Sequence, residues 1–389
     1  MHNFFISRFI PSFPIPHPQF HLNLLRHNAF LFFNPFTSQS QGDEQKDLNF
    51  AVSYLITSCG FSPETATRVS KHVQFKTLDK PNAVLALLKK YGFNETQIGR
   101  FVLKRPLVLV ADAETTLLPK LKFYQSIGIS TTVLPKLMLK NHTFLTRSLD
   151  KFIIPRYKIL RSVVRSDEEV VGALKRGALA FMYCDLINNL IPNIDVLKQL
   201  CVPQASISHL VMYYPGTGYI AHSRFVEGVN LAKELGFDPL KVSFIGALHV
   251  LVNLERARWE SRLQSYQNWG WSREISLSAF RKFPTFMSLT EERFAKSMNF
   301  LVNHMGWPSE DIAAYPVVLA YSLEKRIIPR CRIIKLLKSK GLIKNSISIG
   351  SFTNMTEDSF LTKFVTKFLG DVPLLLDVYK GLVDHRDLL

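Results

Sequence analysis

Three segments place a proline directly before alternating cations: PKLK at 119–122, PRYK at 155–158 and PRCR at 329–332. Proline is favoured as the first residue of a helix, so this pattern predicts Lys120, Lys122, Arg156, Lys158, Arg330 and Arg332 in first turns. A cation there opposes the helix dipole at a cost of up to about 1 kcal/mol, which an external anion could offset. Phosphate is such an anion, because free backbone N–H groups at the same helix end also point towards it. A second recurrent set, Lys104, Arg105, Lys140, Lys175, Arg176, Arg281 and Lys282, falls near the ends of other predicted helices. Cations at helix C-termini are favourable without any ligand, so solvated helix ends and phosphate contacts are equal readings for that set. Together these thirteen residues form the expected nucleic-acid-binding site.

Catalytic chemistry has no comparable signal. The chain contains no GxxxxGK[ST], GxSxG, HExxH or GxGxxG pattern, and PGTG at 215–218 is too short for a phosphate loop. The histidines are scattered, and His142 fits a capping or core role better than catalysis. Cys59, Cys184, Cys201 and Cys331 are far apart and make no metal-ligand spacing, which also argues against a disulfide framework. The reading is therefore no enzyme, no metal and no cofactor. Trp269, Trp271, Trp307 and Phe237 sit beside glycines, where packing between units is the default role.

The formal net charge is +17 with a pI near 9.7, which points to a polyanionic partner, nucleic acid before an anionic membrane. The most apolar internal run, VSFIGALHVLVNL at 242–254, is shorter than the roughly 20 residues a bilayer span needs. The first 42 residues lack Asp and Glu and hold Arg8, Arg26, serines and many phenylalanines. They read as an organellar presequence, with a disordered tail as the alternative.

The elements that must position the cations come from a repeat. SCGFS, KYGFN, SIGIS, SVVRS, QLCVP, ELGFD, NWGWS, HMGWP and SKGLI return with markers at Gly60, Gly92, Gly128, Val164, Cys201, Gly236, Gly270, Gly306 and Gly341. Successive spacings are 32, 36, 36, 37, 35, 34, 36 and 35, a stacked array over residues 43–389. Each signature reads as a glycine C′ turn ending one helix, followed by a cap for the next, with Ser62, Asn94, Ser130, Asp238 and Ser272 as caps. Gln97 and Glu169 would complete capping boxes with Asn94 and Ser166, and Pro63 and Pro239 would open helices. Pro106, Pro215 and Pro284 each lie 14 residues past a marker and should end the second helix. The expected fold is an all-α superhelical solenoid of eight to nine units, each two helices plus a short third turn.

This combination, PLVLVADAETTLLPKLKFYQSIGIS above all, resembles the mTERF family, the mitochondrial transcription termination factor-like proteins abundant in plant organelles. The resemblance covers about 50 to 380, and GALAFMYCDL and IGALHVLVNL depart from its proline pattern. Pentatricopeptide repeats lack the proline break, the tetratricopeptide signature is missing, and HEAT-like scaffolding fits the period alone. The resemblance implies a basic groove for double-stranded DNA and control of organellar gene expression, in transcription termination or regulation. RNA binding in intron splicing or transcript processing is the competing reading, and a protein scaffold the third. A monomer without a small-molecule substrate or membrane insertion is expected, in the mitochondrion or alternatively the chloroplast.

Overall fold

The computed structural model describes residues 41–344 and 346–388. Residues 1–40, which hold most of the expected presequence, lie outside them. The described residues form helices and turns with no strand among them. Their packing divides into two units, 41–226 and 227–388, joined within the helix His222–Glu234.

The repeat signature is a left-handed turn. Gly60, Gly92, Gly128, Gly236, Gly270, Gly306 and Gly341 have φ between 68° and 91°, and Cys201 has φ 56°. Gly381, φ 77°, adds one turn that the period did not include. After most markers the following N–H bonds back five residues, as in Ile129 N to Tyr124 O at 3.0 Å and Phe93 N to Leu88 O at 3.1 Å. Five of the six residues making that bond are apolar and buried, Phe93, Ile129, Val202, Phe237 and Trp271, and the sixth, Leu342, is half-buried. Val164 is the exception, with extended backbone at φ −107° and ψ 166°.

Second helices start as their caps dictate, with two corrections. Asn94 and Gln97 form the reciprocal box, and Ser62, Ser166 and Ser272 each accept an N–H from three residues on. Glu169 does not return to Ser166; its carboxylate takes Arg165 N at 2.8 Å and the Arg165 guanidinium. Ser130 and Asp238 hold turns, and their helices open later, at Leu134 and Val242, leaving Pro239 in the turn. Second helices end at the prolines: Glu95–Lys104, Gln204–Tyr213 and Arg273–Lys282 stop just before Pro106, Pro215 and Pro284. The intervening residues, Arg105, Tyr214 and Phe283, have left the helical region, as a following proline requires. Residues 167–183 lack the proline, and Gly177 kinks that helix instead, φ −108° and ψ 28°.

First helices begin earlier than the prolines suggest. Asp112, Ser148, Asp185 and Ser322 cap π-turns over Ala113–Leu117, Leu149–Ile153, Leu186–Leu190 and Leu323–Ile327, and the α-helices continue from these. A proline inside a helix lacks an N–H and crowds the carbonyl four residues back, and the wider π-turn accommodates both. Pro119, Pro155 and Pro329 therefore stand inside continuous rods and not at their starts.

Candidate nucleic-acid interface

That early start changes the setting of the proline-associated cations. Lys120, Arg156 and Arg330 lie about two turns inside their rods, away from the free N–H groups at the caps. Their side chains point inward. The Lys120 ammonium donates to Leu145 O at 2.6 Å, and burial lowers its pKa. The Arg156 guanidinium donates to Phe181 O and Cys184 O and lies over the rings of Phe152 and Phe181. Arg330, 0% exposed, donates to Phe352 O, Thr353 O and Met355 O and pairs with Glu357 at 3.2 Å. Asn193, which follows Pro192, donates from Nδ2 to Gly218 O at 3.1 Å and Ile220 O at 2.9 Å. The expectation that these three cations meet an external anion is corrected: each satisfies carbonyls at the next break in the chain, which the helix end leaves without intrahelical donors. Of their partners in sequence, Lys122 and Lys158 are exposed and Arg332 is half-buried.

The helix-end cations are arranged differently. Lys104, Arg105, Lys140, Lys175 and Arg176 are all exposed, and among the described residues none of them pairs with a carboxylate. Within the unit 41–226 the structure joins their helix ends into a row. Arg68 and His72 share a cleft of about 530 Å³ with Lys104, Arg105 and Pro106. His142 lies close enough to Arg105 and Lys104 that, after burial, their charges lower its pKa. Lys140 Nζ donates to Lys175 O at 2.9 Å, bridging to the next helix end. The Arg176 guanidinium sits 4.3 Å over the Tyr213 ring, which stacks on His209 with centroids 4.6 Å apart. Burial and then Arg176 keep the His209 pKa low as well.

Arg68 is not among the expected residues, and it stands one turn before the position that the other row cations share. Lys104, Lys140 and Arg176 each lie 12 residues past a marker (104−92, 140−128, 176−164), and His72 and Tyr213 hold the same position in the flanking units (72−60, 213−201). That register puts the five residues at one position of successive second helices, where packed neighbours recur at roughly 8–10 Å. Arg68 and His209 stand one turn earlier, each 8 residues past a marker (68−60, 209−201), and join the row through the cleft and the ring stack. Arg281 and Lys282 are exposed but belong to the unit 227–388, where Arg281 Nε donates to Leu235 O at 3.0 Å. The other second-helix ends of that unit, at Asn253, Ala314 and Thr353, carry no cation.

Charge follows the same division. Residues 51–226 hold 23 Lys and Arg against 11 Asp and Glu, a net +12, and residues 227–389 hold 22 against 17, a net +5. Among the described residues no group of three His, Cys, Asp or Glu is placed to hold a metal ion, and no helix is long and apolar enough to cross a membrane.

Comparison with known proteins gives the same family that the repeat resembles. A family model described as mTERF matches residues 85–248 and 240–361. The curated mitochondrial transcription termination factor MTEF18 of Arabidopsis thaliana is 21% identical over 297 residues, covering 70% of this chain and 52% of the relative. The chloroplastic transcription termination factor MTERF8 of the same plant is 18% identical over 292 residues, covering 75% of this chain and 56% of the relative. The chain spans about half the length of the curated relatives it matches. With the family match extending from 85 to 361 over helical units that end at glycine turns and break at prolines, the chain belongs to the mTERF family.

Proposed function

We propose that this chain binds nucleic acid through the row of helix-end cations in residues 63–226 and thereby regulates organellar gene expression. The observation that carries the reading is the alignment of Lys104, Lys140 and Arg176 at one repeat position, with Arg68 in the cleft beside Lys104, all exposed and unpaired with carboxylates among the described residues. Helix-dipole stabilisation alone accounts for a cation at each helix end. It does not account for the linkage of these ends into one line, where uncompensated like charges repel unless a polyanion lies along them.

At roughly 8–10 Å per repeat, the row advances about three base steps of a nucleic-acid strand per unit. Phosphate contacts of this kind supply affinity and register and leave sequence choice to other side chains. The names of the relatives, transcription termination factors of the mitochondrion and chloroplast, favour termination or its regulation as the role carried over to this chain, with double-stranded DNA, which the family resemblance implies, as the proposed ligand. RNA processing is the competing role, since A-form RNA presents comparable phosphate rows with different groove access.

The test is the salt dependence of binding. With about six phosphates neutralised, log K falls against log salt with a slope near −5 for duplex and near −4 for a single strand. Binding that is insensitive to salt would remove the electrostatic row as the interface.

A further inference from the structure

The helix breaks that carry the cations also carry apolar side chains that no described residue covers. Six large hydrophobic side chains are exposed in residues 50–226, and five of them lie in or next to two of the breaks: Leu103, Leu107, Leu179, Tyr183 and Ile187. Leu107 and Ile187 are each 65% exposed. Leu103 and Leu107 flank Lys104 and Arg105 in the cleft shared with Arg68 and His72. Leu179, Tyr183 and Ile187 follow Arg176 at intervals of three, four and four, beyond the Gly177 kink.

Scattered exposed leucines need no explanation, but their concentration beside the cations does. A partner matching this edge must offer phosphates and apolar faces at alternating positions. A duplex keeps its base faces stacked inside, whereas an unpaired strand exposes them beside its phosphates. We propose that this edge takes an unpaired stretch of nucleic acid, its phosphates on Lys104, Arg105, Lys175 and Arg176 and its bases over Leu107, Tyr183 and Ile187. The proposal rests on the phosphate-row reading and departs from the duplex preference drawn from the family, because the exposed apolar side chains have no matching surface on a duplex.

The test uses the full chain and fluorescence anisotropy with oligonucleotides of about 20 nucleotides, enough to exceed the usual site size of a single-strand binding fold. The same sequence is offered as RNA strand, DNA strand and DNA duplex at one salt concentration. Either strand binding about tenfold tighter than the duplex supports the proposal, and the tighter of the two names the source. The double variant Leu107→Ser, Ile187→Ser should lose about fivefold or more in strand affinity, with salt slope and duplex affinity unchanged. Its thermal midpoint reports that it remains folded, and Tyr183→Ser gives an independent second variant. Duplex binding equal to or tighter than the strands overturns the proposal while leaving the phosphate row intact. Unchanged strand affinity in both variants overturns it too, as does binding of anionic vesicles that the variants abolish while strand binding persists. Salt-insensitive binding of every nucleic acid is a different failure, that of the row itself.

Discussion

A lysine or arginine placed after a helix proline invites an electrostatic explanation, and here hydrogen bonding supplies the better one. Lys120, Arg156 and Arg330 occupy one position of the repeat, and Asn193 occupies it in another unit with the same kind of carbonyl contact. An uncharged residue doing the same work means that the position selects a donor long enough to reach the break, not a positive charge. Arg330→Met should therefore destabilise the fold by about 3 kcal/mol, because three carbonyls and Glu357 lose their partner. Lys122→Ala, at an exposed site of the same motif, should stay within about 0.5 kcal/mol. Chemical denaturation of the two variants separates the roles, and similar losses would contradict this assignment. None of this was legible in PKLK, PRYK or PRCR, because the accepting carbonyls lie 22 to 28 residues downstream. The π-turn that moves the helix start away from proline has no composition signal of its own.

At the scale of the turn and the helix, the sequence was more informative. The marker interval located eight left-handed residues, including Cys201, because a tight helix-to-helix turn imposes a backbone requirement that glycine meets best. Substitutions should then rank by local space. A Cβ on Gly92 would approach Thr131 O at 2.3 Å, whereas one on Gly128 meets nothing within 4 Å. Gly128→Ala should cost about 1 kcal/mol from backbone strain alone and Gly92→Ala clearly more, while Cys201→Gly should be neutral or stabilising. Thermal midpoints in that order would support the reading, and equal losses at both glycines would contradict it. Where the proline pattern lapsed, at GALAFMYCDL, the substitute was not foreseen: Gly177 bends the helix, and a Cβ there would stand 2.6 Å from Pro215 Cβ. The other lapse, in the helix Val242–Asn253, contains His249, whose pKa burial lowers to about 4. Unfolded histidine titrates near 6.5, so between these values the unfolded chain binds more protons than the folded one. Stability should be constant above that window and decline as pH falls through it, by up to ~3 kcal/mol, with a flatter profile for His249→Gln in thermal melts.

Across the whole molecule, net charge announced a polyanionic partner without saying where it would bind. Counting over the full chain concealed that the excess is concentrated in residues 51–226, and reading both cation sets as one cradle mixed inward clamps with outward helix ends. The separation depends on which way a side chain points, and periodicity reports repetition without direction. Repetition did carry the essential clue, since the exposed row returns every 36 residues and the clamps Lys120 and Arg156 share that interval too. Two families of cations with one period can be told apart by their salt response. A phosphate contact contributes to counterion release, whereas a buried donor contributes only to folding. Replacing Lys104 and Arg105 by alanine should reduce the magnitude of the log K against log salt slope by about 2, with folding stability unaffected. The same change at Arg281 and Lys282, outside the row, should alter the slope less, and Lys120→Met should lower the melting temperature without changing the slope of the protein that remains folded. If the clamp variant changed the slope and the row variant did not, the cations that turn inward in this structure would be the ones that meet nucleic acid, and the interface would have to be sought along the first helices.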